Sequence, residues 1–243
     1  MAEIVHVNTP ILVMHGAAGK NAVAVNELLY GEAVEILENG KEWLHVKSLH
    51  DGYEGYVRGG ALKAHAEKTH RVNIPLTHSY SAPDFKTPDH APLYFLSPVH
   101  VTDEKQNGFV QLKSGRWVFE SHLVPLSEKR EDFVETALMF LGGPYLWGGR
   151  SIGGLDCSGL VQISLMAAGI PCPRDSHEQS AVGTKASPDD LQRGDLVFFK
   201  GHVGIMMDDQ HILNATSRSM DTRIEIVETL AEIYNGIIEV RRI

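Results

Sequence analysis

The chain has 243 residues, of which 43% are hydrophobic and 22% charged, with a formal net charge of −9 and two cysteines. Such a composition supports one large soluble domain or two to three small ones, each with an apolar core. The acidic balance without a basic run excludes nucleic acid or an anionic membrane as the main partner, and no stretch approaches the roughly 18 apolar residues of a spanning helix.

The opening Met1-Ala2-Glu3-Ile4-Val5-His6-Val7-Asn8-Thr9-Pro10 shows neither a basic n-region nor an apolar h-region, so no secretory signal is visible and a reducing cytoplasm is expected. Cys157 and Cys172 make a poor disulfide framework and lack the paired spacing of a metal site. One functional and one packed thiol are expected.

Residues 1–65 read as all-β. Short apolar or alternating runs (Ile11–Met14, Ala33–Leu37, Trp43–Val46, Gly55–Val57) are separated by the turn signals Glu38-Asn39-Gly40 and His50-Asp51-Gly52. The segments Glu27-Leu28-Leu29-Tyr30-Gly31-Glu32, Trp43-Leu44-His45-Val46 and Asp51-Gly52-Tyr53-Glu54-Gly55-Tyr56-Val57 together resemble a bacterial SH3-like domain. Tyr30 and Tyr56 are expected to pack inside that barrel.

Residues 66–80 read as a linker. With His65 they carry solvated histidines, since no helical or hairpin spacing gathers His65, His70 and His78 into a metal site. Residues 81–127 repeat the β character in Pro92–Leu96, Val99–Val101, Phe109–Leu112 and Gly115–Phe119, with turns at Asn107-Gly108 and Ser114-Gly115. The region 66–127 is therefore expected to hold this linker and a second SH3-like barrel, a diverged duplicate of the first.

From Ser127 the period changes. Phe133, Ala137, Leu138, Phe140 and Leu141 recur at helical spacing, and Gly142-Gly143-Pro144 stops the helix. A glycine-rich loop (Gly148, Gly149, Gly153, Gly154) leads to Asp156-Cys157-Ser158-Gly159 and an apolar helix, Leu160–Ala168. Asp156 fits an N-cap, which sets Cys157 in the first turn, where the helix end favours a thiolate. After a polar stretch, strands follow at 195–199, 202–207, 212–216, 224–227 and 237–240, with a short helix near Leu230. Residues 128–243 are expected to form an α+β domain.

A catalytic thiol needs a base within hydrogen-bond reach and a third group to hold that base in one tautomer. His202, at the start of a strand, is the candidate base. Asn214, a polar amide amid Leu213 and Ala215, is the candidate orienter, because burying it without a partner is costly. Taken singly, each has a plain structural alternative: a packed cysteine, a turn histidine, an edge-capping asparagine.

Four separated blocks resemble the NlpC-type cell-wall cysteine peptidases. They are Gly142–Gly149, Asp156–Gln162, Leu191–Phe199 and Gly201–Ile205, in that order. The resemblance implies a papain-like α+β catalytic domain preceded by two small SH3-like barrels. It makes Cys157 the nucleophile, His202 the base and Asn214 the third polar residue, where many members have histidine. His211, three positions earlier, is disfavoured by strand parity. Tyr145 falls in the block flanking the oxyanion site, beside the Cys157 amide.

The whole chain further resembles the γ-D-glutamyl-L-diamino acid endopeptidases, which cut murein stem peptides bearing a free N-terminal L-alanine. A free amine buried in a closed pocket needs acceptors. The resemblance supplies Asp156, Ser158 and Ser176, with Glu32 and Tyr53 from the first barrel. Arg174 reads equally as an ion-pair partner of Asp175. No metal or organic cofactor is implied. The expected role is recycling of murein peptides in a bacterial cytoplasm. The rivals are a secreted hydrolase of intact wall, a silent murein-peptide-binding protein and an acyltransferase.

Overall fold

The computed structural model describes residues 3–64 and 66–243, so His65 lies outside the described residues. The chain forms two compact units, divided between Glu128 and Lys129.

The first unit begins with β1 (Glu3–Val7), β2 (Ile11–His15), β3 (Ala24–Leu29), β4 (Ala33–Asn39), β5 (Trp43–Ser48), β6 (Glu54–Arg58) and β7 (Leu62–Ala64). They form one sheet in the order β3-β2-β6-β5-β4-β1-β7. Alternation sets its inward face: Leu44, Val46 and Ser48 of β5 are buried while Trp43, His45 and Lys47 are half-buried. The core is Val5, Val7, Leu12, Met14, Leu28, Val34, Leu44, Val46 and Val57.

A second set follows: β8 (His70–Val72), β9 (Leu76–Tyr80), β10 (His90–Tyr94), β11 (Pro98–Val99), β12 (Val101–Gln106), β13 (Phe109–Leu112), β14 (Trp117–Phe119) and β15 (Leu123–Pro125). They make a five-stranded sheet, β10-β9-β14-β13-β12, and a three-stranded one, β11-β8-β15. Strands β8 and β9 correct the reading of 66–80 as a linker. The signal is faint because β9 turns Thr77 and Ser79 inward and Leu76 outward, which inverts the usual alternation. The buried hydroxyls are satisfied: Thr77 Oγ1 lies 2.7 Å from His122 Nδ1, and Arg116 Nε donates to Ser79 Oγ at 2.9 Å. His78 lies edge-on to His90 at 5.1 Å. Among the described residues no group of three or more metal-ligating side chains stands together.

Tyr30 also departs from expectation. It packs against the second core, that of Val72, Leu93, Val99, Val110, Leu112, Val118 and Leu123. Gly31 explains how. Its φ is +82°, and a Cβ there would lie 2.0 Å from the Pro98 carbonyl oxygen, so only glycine permits this approach. Tyr56 stacks on His45 at 4.8 Å.

The second unit holds α1 (Phe133–Leu138), the short pair β16 (Arg150–Ser151) and β17 (Gly154–Leu155), α2 (Cys157–Ala167), α3 (Ser176–Gln179), β18 (Thr184–Lys185), β19 (Leu196–Phe199), β20 (His202–Met206), β21 (His211–Thr216), β22 (Asp221–Ile226), α4 (Val227–Tyr234) and β23 (Glu239–Arg242). Six strands form an antiparallel sheet in the order β18-β23-β19-β20-β21-β22. Helix α1 is shorter than its period predicts. After Leu138 the chain continues in tighter turns, Phe140 N to Ala137 O and Leu141 N to Leu138 O, before Gly142 at φ +79°.

Helix α2 is enclosed on nearly every side: Leu160, Val161, Ile163 and Leu165 are each fully buried. Each such side chain contributes about 1.5–3 kcal/mol relative to exposure, which fixes the helix firmly against its neighbours. It packs on β20 and β21, so its N-terminus is held beside the start of β20. Among the described residues, no helix is long and apolar enough to cross a membrane.

Candidate active site

The loop before α2 sets the thiol. Gly148 has φ +80°, and a Cβ on Gly159 would lie 2.3 Å from the Gly149 carbonyl oxygen. Loop and helix therefore touch backbone to backbone. Asp156 is the N-cap and accepts from Gly159 N at 2.7 Å. Cys157 is the first helical residue, half-buried.

Asp156 is 5% exposed and does more than cap. Its Oδ2 accepts from Gly148 N at 2.8 Å and Arg174 Nη2 at 2.7 Å. Its Oδ1 also accepts from Arg174 Nη1 at 2.9 Å and Ser158 Oγ at 3.2 Å. This is a buried two-pronged ion pair, with the guanidinium 1% exposed. Arg174 thus pairs with Asp156, eighteen positions away, and not chiefly with its neighbour Asp175. Arg174 Nη1 also donates to Ser158 Oγ at 2.8 Å. Ser176 opens α3 immediately after this segment and is half-buried.

Two backbone N–H groups, of Val203 and Ser158, donate toward the Cys157 sulfur. Burial nevertheless pushes the thiol up to about 11, and the adjacent Asp156 charge adds to the rise. The resting form is the neutral thiol. The thiolate expected from the helix N-terminus is therefore corrected: desolvation outweighs the backbone N–H bonds and the Arg174 charge. Tyr145 stands close enough to feel the charges of Cys157 and Asp156. Burial, with those charges, raises its hydroxyl to about 12, so it remains an O–H donor.

His202 opens β20 after a two-residue turn, Lys200-Gly201, with Phe199 paired opposite. Its ring stacks on Tyr234 at 4.9 Å with a 10° interplanar angle. His202 Nε2 lies 3.0 Å from Asn214 Oδ1. The register supports this contact. Ile205 pairs with Leu213, so Asn214 falls opposite Gly204 and shares the His202 face. His211 is exposed and turns to Asp208, at 2.9 Å. Burial holds the His202 imidazolium below its usual range, helped by Arg218 and opposed by Asn214 and Glu225. The Val203 N–H donates toward the Cys157 sulfur, so the thiol lies beside the start of β20, the strand that His202 opens; a thiol and an imidazole that are both neutral suit general-base removal of the thiol proton during attack.

Glu32 and Tyr53 belong to the first unit. Glu32 is buried and accepts from Leu29 N at 2.8 Å, and Tyr53 packs on the first core. Sequence reasoning missed Tyr234, Arg218 and Glu225. Asn214 Nδ2 donates to Glu225 Oε2 at 3.1 Å, and Arg218 Nη2 donates to both Glu225 oxygens at 2.8 and 2.6 Å. No spacing rule links these residues to His202. The visible trace was a glutamate flanked by two isoleucines, Ile224-Glu225-Ile226.

A model of the NlpC/P60 family matches residues 142–235, and one of the bacterial dipeptidyl-peptidase SH3 domain matches residues 14–62. The chain is 31% identical over 237 residues to the gamma-D-glutamyl-L-lysine dipeptidyl-peptidase of Bacillus subtilis, covering 86% of this chain and 78% of that protein. It is 27% identical over 244 residues to dipeptidyl-peptidase 6 of Lysinibacillus sphaericus, with 88% of each covered. The solved structure of an NlpC/P60 family protein from Bacillus cereus superimposes with a TM-score of 0.85 over 99% of both chains at 21% identity, which is a likeness of fold.

Proposed function

The chain is a member of the NlpC/P60 family of peptidases, with an SH3-like domain near its N-terminus, and on that premise we propose that it is a cysteine endopeptidase cutting the γ-D-glutamyl–L-diamino acid bond of murein peptides that carry a free N-terminal L-alanine. The observation that carries this reading is the trio on three packed elements: Cys157 at the first position of α2, its sulfur against the Val203 N–H, and His202 of β20 bonded through Nε2 to Asn214 of β21. The domain reading that goes with it is an SH3-like barrel over 1–65, a second over 66–127 and a papain-like catalytic domain over 128–243.

In the first step the Cys157 sulfur attacks the γ-carbonyl carbon of D-glutamate while the thiol proton passes to His202. Nε2 is engaged by Asn214, so Nδ1 is the nitrogen that receives it. The oxyanion is met by the Cys157 N–H and the Tyr145 O–H. The C–N bond then breaks, and His202 Nδ1–H protonates the leaving amine of the diamino acid. Water, deprotonated by His202, cleaves the thioester, releasing L-Ala-D-Glu and restoring the thiol.

Amine reading falls to Asp156 with Ser158 and Ser176. Asp156 already accepts five hydrogen bonds. An ammonium gains access most easily in place of the Ser158 hydroxyl, the longest of them at 3.2 Å. A pocket that requires the amine rejects stem peptides whose L-alanine is acylated by the glycan, which suits soluble fragments and a recycling role.

The test is mass spectrometry of products from L-Ala-γ-D-Glu-diaminopimelate, beside its N-acetylated twin and Cys157→Ala. Cleavage of the free-amine peptide alone, abolished by the substitution, supports the proposal. Equal cleavage of both peptides removes the amine specificity and with it the recycling role. Cleavage of neither removes this substrate.

A further inference from the structure

The bond between His202 Nε2 and Asn214 Oδ1 has meaning only if the amide is held that way round. An amide turned by 180° presents Nδ2 to His202 and reverses the tautomer. The surroundings of Asn214 decide the matter. Its Nδ2 lies 3.1 Å from Glu225 Oε2 and 3.5 Å from the Arg223 carbonyl oxygen. Both are acceptors, and the ionised carboxylate is an acceptor only. Nδ2 must therefore face them, and Oδ1 must face His202. An oxygen there requires a proton on Nε2, which leaves the lone pair on Nδ1.

The carboxylate is fixed in turn. Arg218 Nη2 donates to both of its oxygens, and Arg218 lies 5.9 Å from the centre of the Tyr234 ring. Tyr234 stacks on the other side of the relay, against His202. The strand register aligns the parts: Asn214 pairs with Arg223, so Glu225 is its diagonal neighbour on the same face.

The geometry points to Glu225 as a positioning residue that, clamped by Arg218, dictates through Asn214 which nitrogen of His202 carries the proton. This inference rests on the peptidase reading of Cys157 and His202 and adds a fourth and fifth member behind them. Glu225 touches neither substrate nor thiol. It acts by being unable to donate.

Glu225→Gln tests this directly. Arg218 only donates, so it claims the Gln Oε1 and turns the Gln Nε2 toward Asn214. Asn214 must then accept through Oδ1, swing Nδ2 to His202 and move the ring proton to Nδ1. Glu225→Ala removes the director but leaves Nδ2 its longer bond to Arg223. The expected order of kcat is wild type, then Glu225→Ala, then Glu225→Gln. The isosteric change is the most damaging, on the order of 100-fold, with KM little altered, because a wrong tautomer disables a base without removing it. A purely packing role gives the opposite order, since glutamine preserves the shape. In the double variant Glu225→Gln with Arg218→Met the glutamine is free to turn, and activity recovers relative to Glu225→Gln.

The tautomer is read by 15N NMR of histidine-labelled protein above the imidazole pKa, with His202 assigned from the spectrum of His202→Gln. The wild type is expected as Nε2–H and Glu225→Gln as Nδ1–H. Glu225→Gln with an unchanged Nε2–H signal overturns the inference. So does a kcat order in which Glu225→Ala is the worse variant. If Glu225→Gln does not fold, Glu225→Ala decides: a mixture of tautomers supports the relay, and pure Nε2–H at wild-type kcat overturns it. The NMR readout needs no peptide. The rate of Cys157 alkylation by iodoacetamide replaces kcat if the murein peptide is not cleaved, so failure of the substrate reading is distinguishable from failure of the relay.

Discussion

Two histidines, the half-buried His122 of the first unit and the buried His202 of the second, show how differently the same side chain is used. His122 of the first unit lies against Thr77 Oγ1, and burial lowers its imidazolium below the usual range. His202 of the second unit is lowered by burial too, yet one nitrogen is held by Asn214 while its neighbour Val203 donates to a thiol sulfur. The direction of titration is the same in both. What separates the two imidazoles is company: His202 has an amide oxygen that fixes its tautomer, and it opens the strand whose next residue bonds the Cys157 sulfur. A depressed histidine is thus a sign of desolvation first, and of function only where the geometry adds to it.

The strongest test of that contrast is removal of the thiol. Cys157→Ala is expected to lower peptide hydrolysis by roughly 10⁴-fold or more, as loss of a nucleophile does elsewhere, with the fold retained. His122→Gln is expected to leave turnover untouched. Activity in Cys157→Ala, or its loss in His122→Gln, would break the comparison at its root.

Arg174→Met comes next. It leaves the Asp156 carboxylate buried without its countercharge, a change worth about 3–5 kcal/mol in stability. Urea unfolding measures it. A midpoint equal to wild type would show that the ion pair contributes nothing, and that Asp156 depends on its backbone donors alone.

The pH–rate profile follows. The acid limb of kcat/KM is expected below the ordinary histidine value of about 6.5, because His202 must be neutral and burial holds it down. The alkaline limb is expected far above neutrality, toward the value of about 11 at which Cys157 ionises. A narrow bell centred near neutrality would point to a resting thiolate–imidazolium pair instead.

The smallest effect is on stability. His70, His122 and His202 are all lowered in the folded chain, chiefly by burial. Each takes up protons on unfolding. Its contribution is fully present above the unfolded value of about 6.5 and is lost as pH falls from there toward the native value. Urea midpoints should therefore decline between pH 7 and pH 5. His122→Gln and His202→Gln should each flatten that decline, although only the second alters catalysis. A decline unaffected by either substitution would place its cause elsewhere.

Much of the site was legible in the chain. The Asp156 cap depends on residues three apart, and a cap followed by an apolar helix is a local pattern, so Cys157 at the first helical position could be read directly. Asn214 was legible through strand parity, since alternation sets it on the His202 face and His211 off it. The four motif blocks supplied the order of the parts. The strands of 66–80 were hidden because β9 buries Thr77 and Ser79, and hydroxyls facing inward do not register as a core pattern. Tyr30 was misplaced for a related reason: an aromatic beside a glycine looks the same whether it packs inward or onto a neighbouring core.

What the sequence by itself determined is therefore what short-range hydrogen bonding and side-chain period control: the helix that starts at Cys157, the strand that starts at His202, and the face on which Asn214 lies. The tertiary structure alone decided the ionisation of the thiol, the choice of Asp156 over Asp175 as the main partner of Arg174, and the Glu225–Arg218 clamp behind Asn214. These depend on desolvation and on charges brought together from distant segments. Neither has a period or a spacing along the chain, because both arise from the distances that packing creates.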